Sequence, residues 1–224
     1  MSVIVGFHGG ERSATGHCPA APASGLCGHA HATFARRVSQ LYLGLVAFGA
    51  SLALMVRADL GLGPWDVLHQ GLAGVTGLSI GWVVIGTAAL VLVAWLPLRL
   101  RPGFGTLSNV IVVGLVVDAT IAVLPAPTSL VARVGLLAAG IVGNGVATGL
   151  YIGAGLGSGP RDGLMMGLAA RGYSLRRVRT LLEVTVLAVG WAVGGTVGVG
   201  TLAYALAIGP LVQRLIPALT LPAA

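Results

Sequence analysis

The sequence predicts an all-α membrane protein of about six transmembrane helices plus two short re-entrant or interfacial helices, arranged as two inverted-topology three-span repeats. Three observations predict it. Hydrophobic residues make up 56 % of the chain and charged residues only 8 %, whereas a water-facing shell takes roughly 25 %. The apolar residues gather in runs of about 19, which at 1.5 Å per residue cross a hydrocarbon core. A short motif also occurs twice: Gly61-Leu62-Gly63-Pro64-Trp65-Asp66 and Gly157-Ser158-Gly159-Pro160-Arg161-Asp162 (162 − 66 = 96).

Residues 1–35 read as a disordered polar leader holding His8, Cys18, Cys27, His29 and His31. Their spacing matches no zinc module, so no metal or other cofactor is expected. The leader has no apolar stretch after a basic start, which excludes a secretory signal. Residues 36–126 form the first membrane repeat and residues 127–220 the second.

Arg36 and Arg37 abut the first apolar run, Val38 to Val56. The first motif follows, and then Val67 to Thr76, apolar but too short to span. Ile80 to Leu98 is the second span, closed by Arg99, Arg101 and Pro102. Thr106 to Leu124 is the third, with Asp118 inside it. The second half repeats the plan: Val134 to Ala154, the second motif, a short stretch over Gly163 to Ala170, then Thr180 to Val197 and Leu202 to Leu219. Gly209-Pro210 should kink the last span.

The likeness of the halves extends past the motif. After a one-residue deletion, Gly103, Gly105, Thr106 and Leu107 match Gly198, Gly200, Thr201 and Leu202 (198 − 103 = 95). Two motifs recurring in the same order mark an internal duplication. Three spans per half give the halves opposite orientations. With the N-terminus cytoplasmic, Arg12, Arg36, Arg37, Arg99, Arg101, Arg161, Arg171, Arg176, Arg177 and Arg179 fall inside, and Arg57 and Arg133 outside. Ten against two is a positive-inside bias. The net charge of +7 comes wholly from arginine, there being no lysine. These arginines lie between apolar runs rather than on one polar face, so no nucleic acid is expected as partner.

The repeated loop has a definite chemistry. Its glycines permit positive φ and close backbone approach. Pro64 and Pro160 suit the first turn of a helix. Asp66 and Asp162 then meet the positive helix end near its free N–H groups. One reading is a plain helix cap. The other is a substrate or ion site made of Gly63, Pro64, Asp66, Gly159, Pro160 and Asp162, where each loop dips into the membrane from one side. The two are compatible. Trp65 and Arg161 share a repeat position and read as interface anchors.

Asp118 lies at membrane depth and Gln213 matches it (213 − 118 = 95). A charge there faces a cavity or a partner, so both join the candidate site, either in ion coupling or in a structural hydrogen bond. His69, three residues after Asp66, can share its helix face, either as a proton relay or as a polar side chain of an interfacial helix. Glu183 and Arg179 have the spacing of a helix-face ion pair. Gly145, Gly149, Gly153 and Gly190, Gly194, Gly198 have small-xxx-small spacing, which suits helix contact within the fold or within a homo-oligomer. No nucleotide-gripping, metalloprotease or nucleophile-elbow motif occurs, and polar triads are scarce, so no enzymatic activity and no catalytic residue is expected.

The stretch Arg57-Ala58-Asp59-Leu60-Gly61-Leu62-Gly63-Pro64-Trp65-Asp66-Val67-Leu68, with Gly159-Pro160-Arg161-Asp162-Gly163-Leu164 in the second half, resembles the YitT/YczE-type bacterial integral membrane proteins, closer to the YczE-like branch. The resemblance covers about residues 38 to 220 and implies a multi-pass protein of the bacterial inner membrane. It carries over no catalytic residues. The function expected is a small permease-like protein for an unknown small molecule or ion, with the lipid bilayer around it. The alternative is a non-transporting scaffold or accessory factor for a membrane-associated pathway.

Overall fold

The computed structural model describes residues 24–221, with side chains from Phe34 onward. All of the leader's His and Cys positions therefore lie outside the described residues or have no described side chain. Eight helices make up the described chain: α1 (Ser24–Ala58), α2 (Pro64–Thr76), α3 (Ile80–Val93), α4 (Phe104–Val123), α5 (Leu130–Gly153), α6 (Pro160–Ala169), α7 (Leu175–Ala192) and α8 (Val199–Leu219). No strand occurs among the described residues. α1 begins at Ser24, inside the stretch read as leader. The alanines there favour helix, and no proline interrupts them before the first span.

Each predicted element has a counterpart, but two spans end early or start early. α3 stops at Val93 and the chain turns over 94–99. Pro97 offers no N–H to continue the helix, and Arg99 takes a positive φ of 52°. α7 runs from Leu175 to Ala192, ahead of the predicted Thr180 to Val197. Gly194, at φ 95°, ends it. Four helices are long and apolar enough to cross a membrane: α1 from Phe34, α4, α5 and α8. α2 and α3 are bent by 114° at their break, and counted as one broken span they make five. α3 has 14 residues, a rise of about 21 Å. α7 has 18 but carries Arg176, Arg177, Arg179 and Glu183 in its first half. A count of six spans rests on these two.

α1 and α5 form the centre, crossing through small residues. A Cβ on Gly44 would lie 2.7 Å from the Tyr151 amide nitrogen, and one on Gly140 would reach Met55. Such close backbone approach is how helices associate where lipid is as apolar as leucine. α4 packs on α1, α8 on α5, and α2 on α7. The small-xxx-small series is used inside the fold. Gly145, Gly149 and Gly153 receive Leu211, Leu215 and Leu219 of α8, and Gly190 receives Leu68 of α2. Two apolar clusters fill the interior. One joins Leu41, Leu45 and Leu52 to Val113 and Val117, and the other joins Met55 and Leu62 to Ile141, Tyr204 and Ile208. The outer surface is apolar too: Leu43, Trp82, Val123, Trp191 and Val199 are all exposed. Such a surface fits lipid.

Candidate functional site: two repeated loops on one cavity

The first glycine of each motif is fixed by backbone shape and by what it touches. Gly61 has φ 109° and Gly157 φ 133°, a region that disfavours side chains. A Cβ on Gly61 would lie 2.7 Å from the amide nitrogen of Gly198, and one on Gly157 would lie 2.9 Å from Thr106 Oγ1. Each motif loop therefore docks on the Gly-x-Gly-Thr-Leu start of the other half's last helix. The hydrogen bonds repeat the pattern. The Gly200 amide donates to Leu60 O at 2.8 Å, and the Gly105 amide donates to Leu156 O at 2.9 Å. These pairs match residue for residue at the repeat offsets (156 − 60 = 96, 200 − 105 = 95).

The loops deliver Pro64 and Pro160 to the first turns of α2 and α6. Both helices then open on one cavity of about 70 Å³. Its walls carry Trp65, Asp66 and His69 from α2 and Arg161 and Asp162 from α6. Phe48 of α1, Thr87 of α3, Asn109 of α4 and Tyr151 of α5 complete the polar and aromatic lining. A second cavity of about 240 Å³ adjoins it between α5, α6, α7 and α8. Trp65, Arg161 and Asp162 line both.

The two aspartates differ in their surroundings. Asp162 accepts a 2.6 Å hydrogen bond from the Tyr151 hydroxyl and has Arg161 at 3.8 Å. Asp66 is buried and accepts no side-chain hydrogen bond among the described residues; its neighbour is His69 Nδ1 at 3.6 Å. Arg161 lies over the Phe48 ring, 5.8 Å from its centroid. It is also within electrostatic reach of Tyr204, Asp162, Tyr151 and Asp66. Trp65 Nε1, His69 Nδ1 and Asn144 Nδ2 are buried without a hydrogen-bond partner. A buried donor or acceptor left unpaired costs about 1–3 kcal/mol, and two of these three, Trp65 and His69, lie on the cavity wall.

Four of the sequence-predicted site residues thus come together on the first cavity, Asp66, Gly159, Pro160 and Asp162, while Pro64 lines the second and Gly63 caps α2 without lining either. Asp118 and Gln213 do not join them. Asp118 accepts from Ser79 Oγ at 2.5 Å and from the Gly81 amide at 2.8 Å, tying the start of α3 to α4. Gln213 is exposed on α8. The interface-anchor reading of Trp65 and Arg161 is corrected. Trp65 is 9 % exposed and Arg161 is half-buried, because the loops carry the starts of α2 and α6 into the protein interior.

Sequence reading missed Tyr151, Tyr204, Asn144 and Trp95. Tyr204 donates to Asn144 Oδ1 at 3.3 Å, and its ring would meet a Cβ on Gly63 at 2.9 Å. Trp95 Nε1 donates to Pro160 O at 3.0 Å, holding α6 from the end of α3. The available signal was a polar group set within an apolar run.

Helices of this length and apolarity, broken around an interior polar site, define a multi-pass helical membrane protein. The comparisons place it further. The profile of a family described as "Family of unknown function (DUF6198)" matches residues 35–217, and the chain belongs to that family. It is 35 % identical over 175 residues to the "Uncharacterized membrane protein YczE" of Bacillus subtilis, covering 77 % of this chain and 81 % of that protein. An "Uncharacterized protein" of Haemophilus influenzae is 41 % identical over 179 residues, covering 80 % and 82 %. The "Uncharacterized protein YyaS" of Bacillus subtilis is 26 % identical over 182 residues, covering 78 % and 90 %. No solved structure matches the chain. The YczE-like resemblance read from the sequence holds.

Proposed function

We propose that the protein is a small permease of the bacterial inner membrane, built as two inverted three-span repeats with the N-terminus in the cytoplasm. Its ligand, a small metabolite or ion, would bind between the two repeated loops. No catalytic chemistry enters this reading. The observation that carries it is the cavity lined from both sides by the two copies of one motif, each at the start of a short helix. Discontinuous helices whose N-termini point into a midplane site are the recurring ligand-binding device of inverted-repeat transporters. The crosswise docking of the loops and the arginine distribution support the same reading.

The test is flux into proteoliposomes, using a panel of radiolabelled small metabolites and monovalent ions. At least one should enter faster than into protein-free vesicles. Asp162→Asn should cut that flux about ten-fold or more, because it removes the carboxylate that orders Tyr151 and Arg161. Gel filtration must show that the variant folds. A folded wild type that moves none of the panel, yet holds a stable partner through purification, would favour the scaffold reading.

A further inference from the structure

We propose that Asp66 and His69 form a proton-binding pair, and that H⁺ is the cation the central cavity takes up. This rests on reading the cavity as a ligand site and names one of its ligands.

The geometry is that of two groups waiting for a proton. His69 Nδ1 stands 3.6 Å from Asp66 Oδ1, and the two side chains are 10 % and 8 % exposed. Nδ1 has no hydrogen-bond partner. Protonation makes the imidazole a donor on both nitrogens. A small side-chain movement then closes the gap to a charge-assisted hydrogen bond of about 2.8 Å. Charge balance points the same way. The cavity wall bears two carboxylates, Asp66 and Asp162, against one guanidinium, Arg161. One added proton brings the sum to zero, and an unbalanced charge is what an apolar interior penalises.

The groups facing His69 are few. Asp66 is on its own helix. Arg161 and Asp162 of α6, Tyr151 of α5 and Asn109 of α4 lie across the cavity. Tyr204 of α8 is within electrostatic reach of Asp66. α1 and α3 turn no charged side chain toward this cavity, and α7, packed on α2, places the oppositely charged Arg179 and Glu183 on the adjoining one. The second repeat cannot do the same. Met165 occupies the position of His69 (165 − 69 = 96), and Asp162 already has Tyr151 and Arg161. The duplication therefore supplies one proton site, in the first copy.

The test uses the full chain with His8, His17, His29 and His31 changed to Gln, leaving His69 as the sole imidazole. The protein is labelled with ¹⁵N-histidine and held in lipid nanodiscs. The ring nitrogens are followed from about pH 5 to about pH 9, the range in which histidine switches. A one-proton transition involving Nδ1 is expected. Asp66→Asn should abolish the hydrogen-bonded Nδ1–H signal that the protonated pair gives. Asp66→Glu should keep it. A ring that takes up no proton in this range, or an Nδ1–H signal that Asp66→Asn leaves unchanged, overturns the proposal. A second measurement does not depend on Asp66→Asn folding. After an acid pulse in unbuffered suspension, His69→Gln should take up one proton fewer than its parent, and equal uptake overturns the proposal. Neither experiment needs a transported substrate. A protein that binds this proton yet moves nothing fails the permease reading alone.

Discussion

A Cβ at Gly157 would be forced into a backbone at φ 133° and to within 2.9 Å of Thr106 Oγ1. That hydroxyl already donates to Ser158 O at 2.8 Å, so it is not free to give way. Gly157→Ala should therefore destabilise the protein by about 1–3 kcal/mol. Gly135→Ala is the control. Gly135 lies in α5, and its added Cβ meets nothing within 4 Å, so the change should be neutral or stabilise by up to about 1 kcal/mol. Thermal unfolding of both variants in one detergent checks the pair, and equal melting temperatures would refute the tight role given to the motif glycine. The motif residues were legible in the sequence because glycine, proline and aspartate each have a narrow physical use at a helix start. What they would touch was not legible. Trp65 looked like an interface anchor because indoles collect at bilayer interfaces, and nothing local in the chain said that it would share a cavity wall with Arg161 and Tyr204. Those contacts join residues from opposite halves, and a single sequence carries no direct signal for them.

The helices carry an asymmetry that the repeat makes measurable. α3 packs closely on α4: a Cβ on Gly114 would lie 2.5 Å from Gly81 O, and Asp118 holds the start of α3 through Ser79 and Gly81. The matching pair is α7 and α8. Gly209 stands where Gly114 does (209 − 114 = 95), yet a Cβ there meets nothing within 4 Å. Gln213, the counterpart of Asp118, is exposed, and the 240 Å³ cavity has α7 on one wall and α8 on the other. So one half is latched and the other stands open. If the protein alternates as inverted-repeat permeases do, α7 must close on α8 when α3 parts from α4. Cysteines at Ser174 and Gln213, the counterparts of Ser79 and Asp118, should then form a disulfide in native membranes. That bond needs Cα atoms within about 7 Å. Asp118→Asn, which weakens the opposite latch, should raise the yield. No cross-link in either background would mean that the open half is fixed and the two halves do not exchange states. The sequence foretold the existence and order of all eight helices because apolar runs and helix breakers are local signals. The ends of α3 and α7 shifted because Pro97 and Gly194 terminate helices that hydropathy alone would continue.

At the scale of the whole molecule, the two halves must have opposite orientations if each contributes three spans, and α3 and α7 are the helices on which that parity depends. α3 is short for a bilayer, and α7 begins with three arginines. If either stops short of crossing, the halves no longer oppose one another and the charge bias loses its meaning. The turn between α2 and α3 and the turn between α6 and α7 decide the matter, because they are equivalent positions of the repeat. Both are exposed: Thr76 stands at one and Tyr173 at the other. Single cysteines placed at these positions in turn, in a chain with Cys18→Ser and Cys27→Ser, can be challenged with a membrane-impermeant thiol reagent. If the proposed orientation holds, with ten arginines cytoplasmic against two outside, the cysteine at Thr76 should label in intact cells and the one at Tyr173 only after lysis. Labelling of both from one side would make the repeats parallel. The crosswise contacts of the two loops would then be a packing device, and the shared cavity would lose its alternating access. The labelling pattern expected here leaves the cavity between two oppositely facing copies of one unit, the geometry in which closing one half and opening the other moves a bound ligand across the membrane.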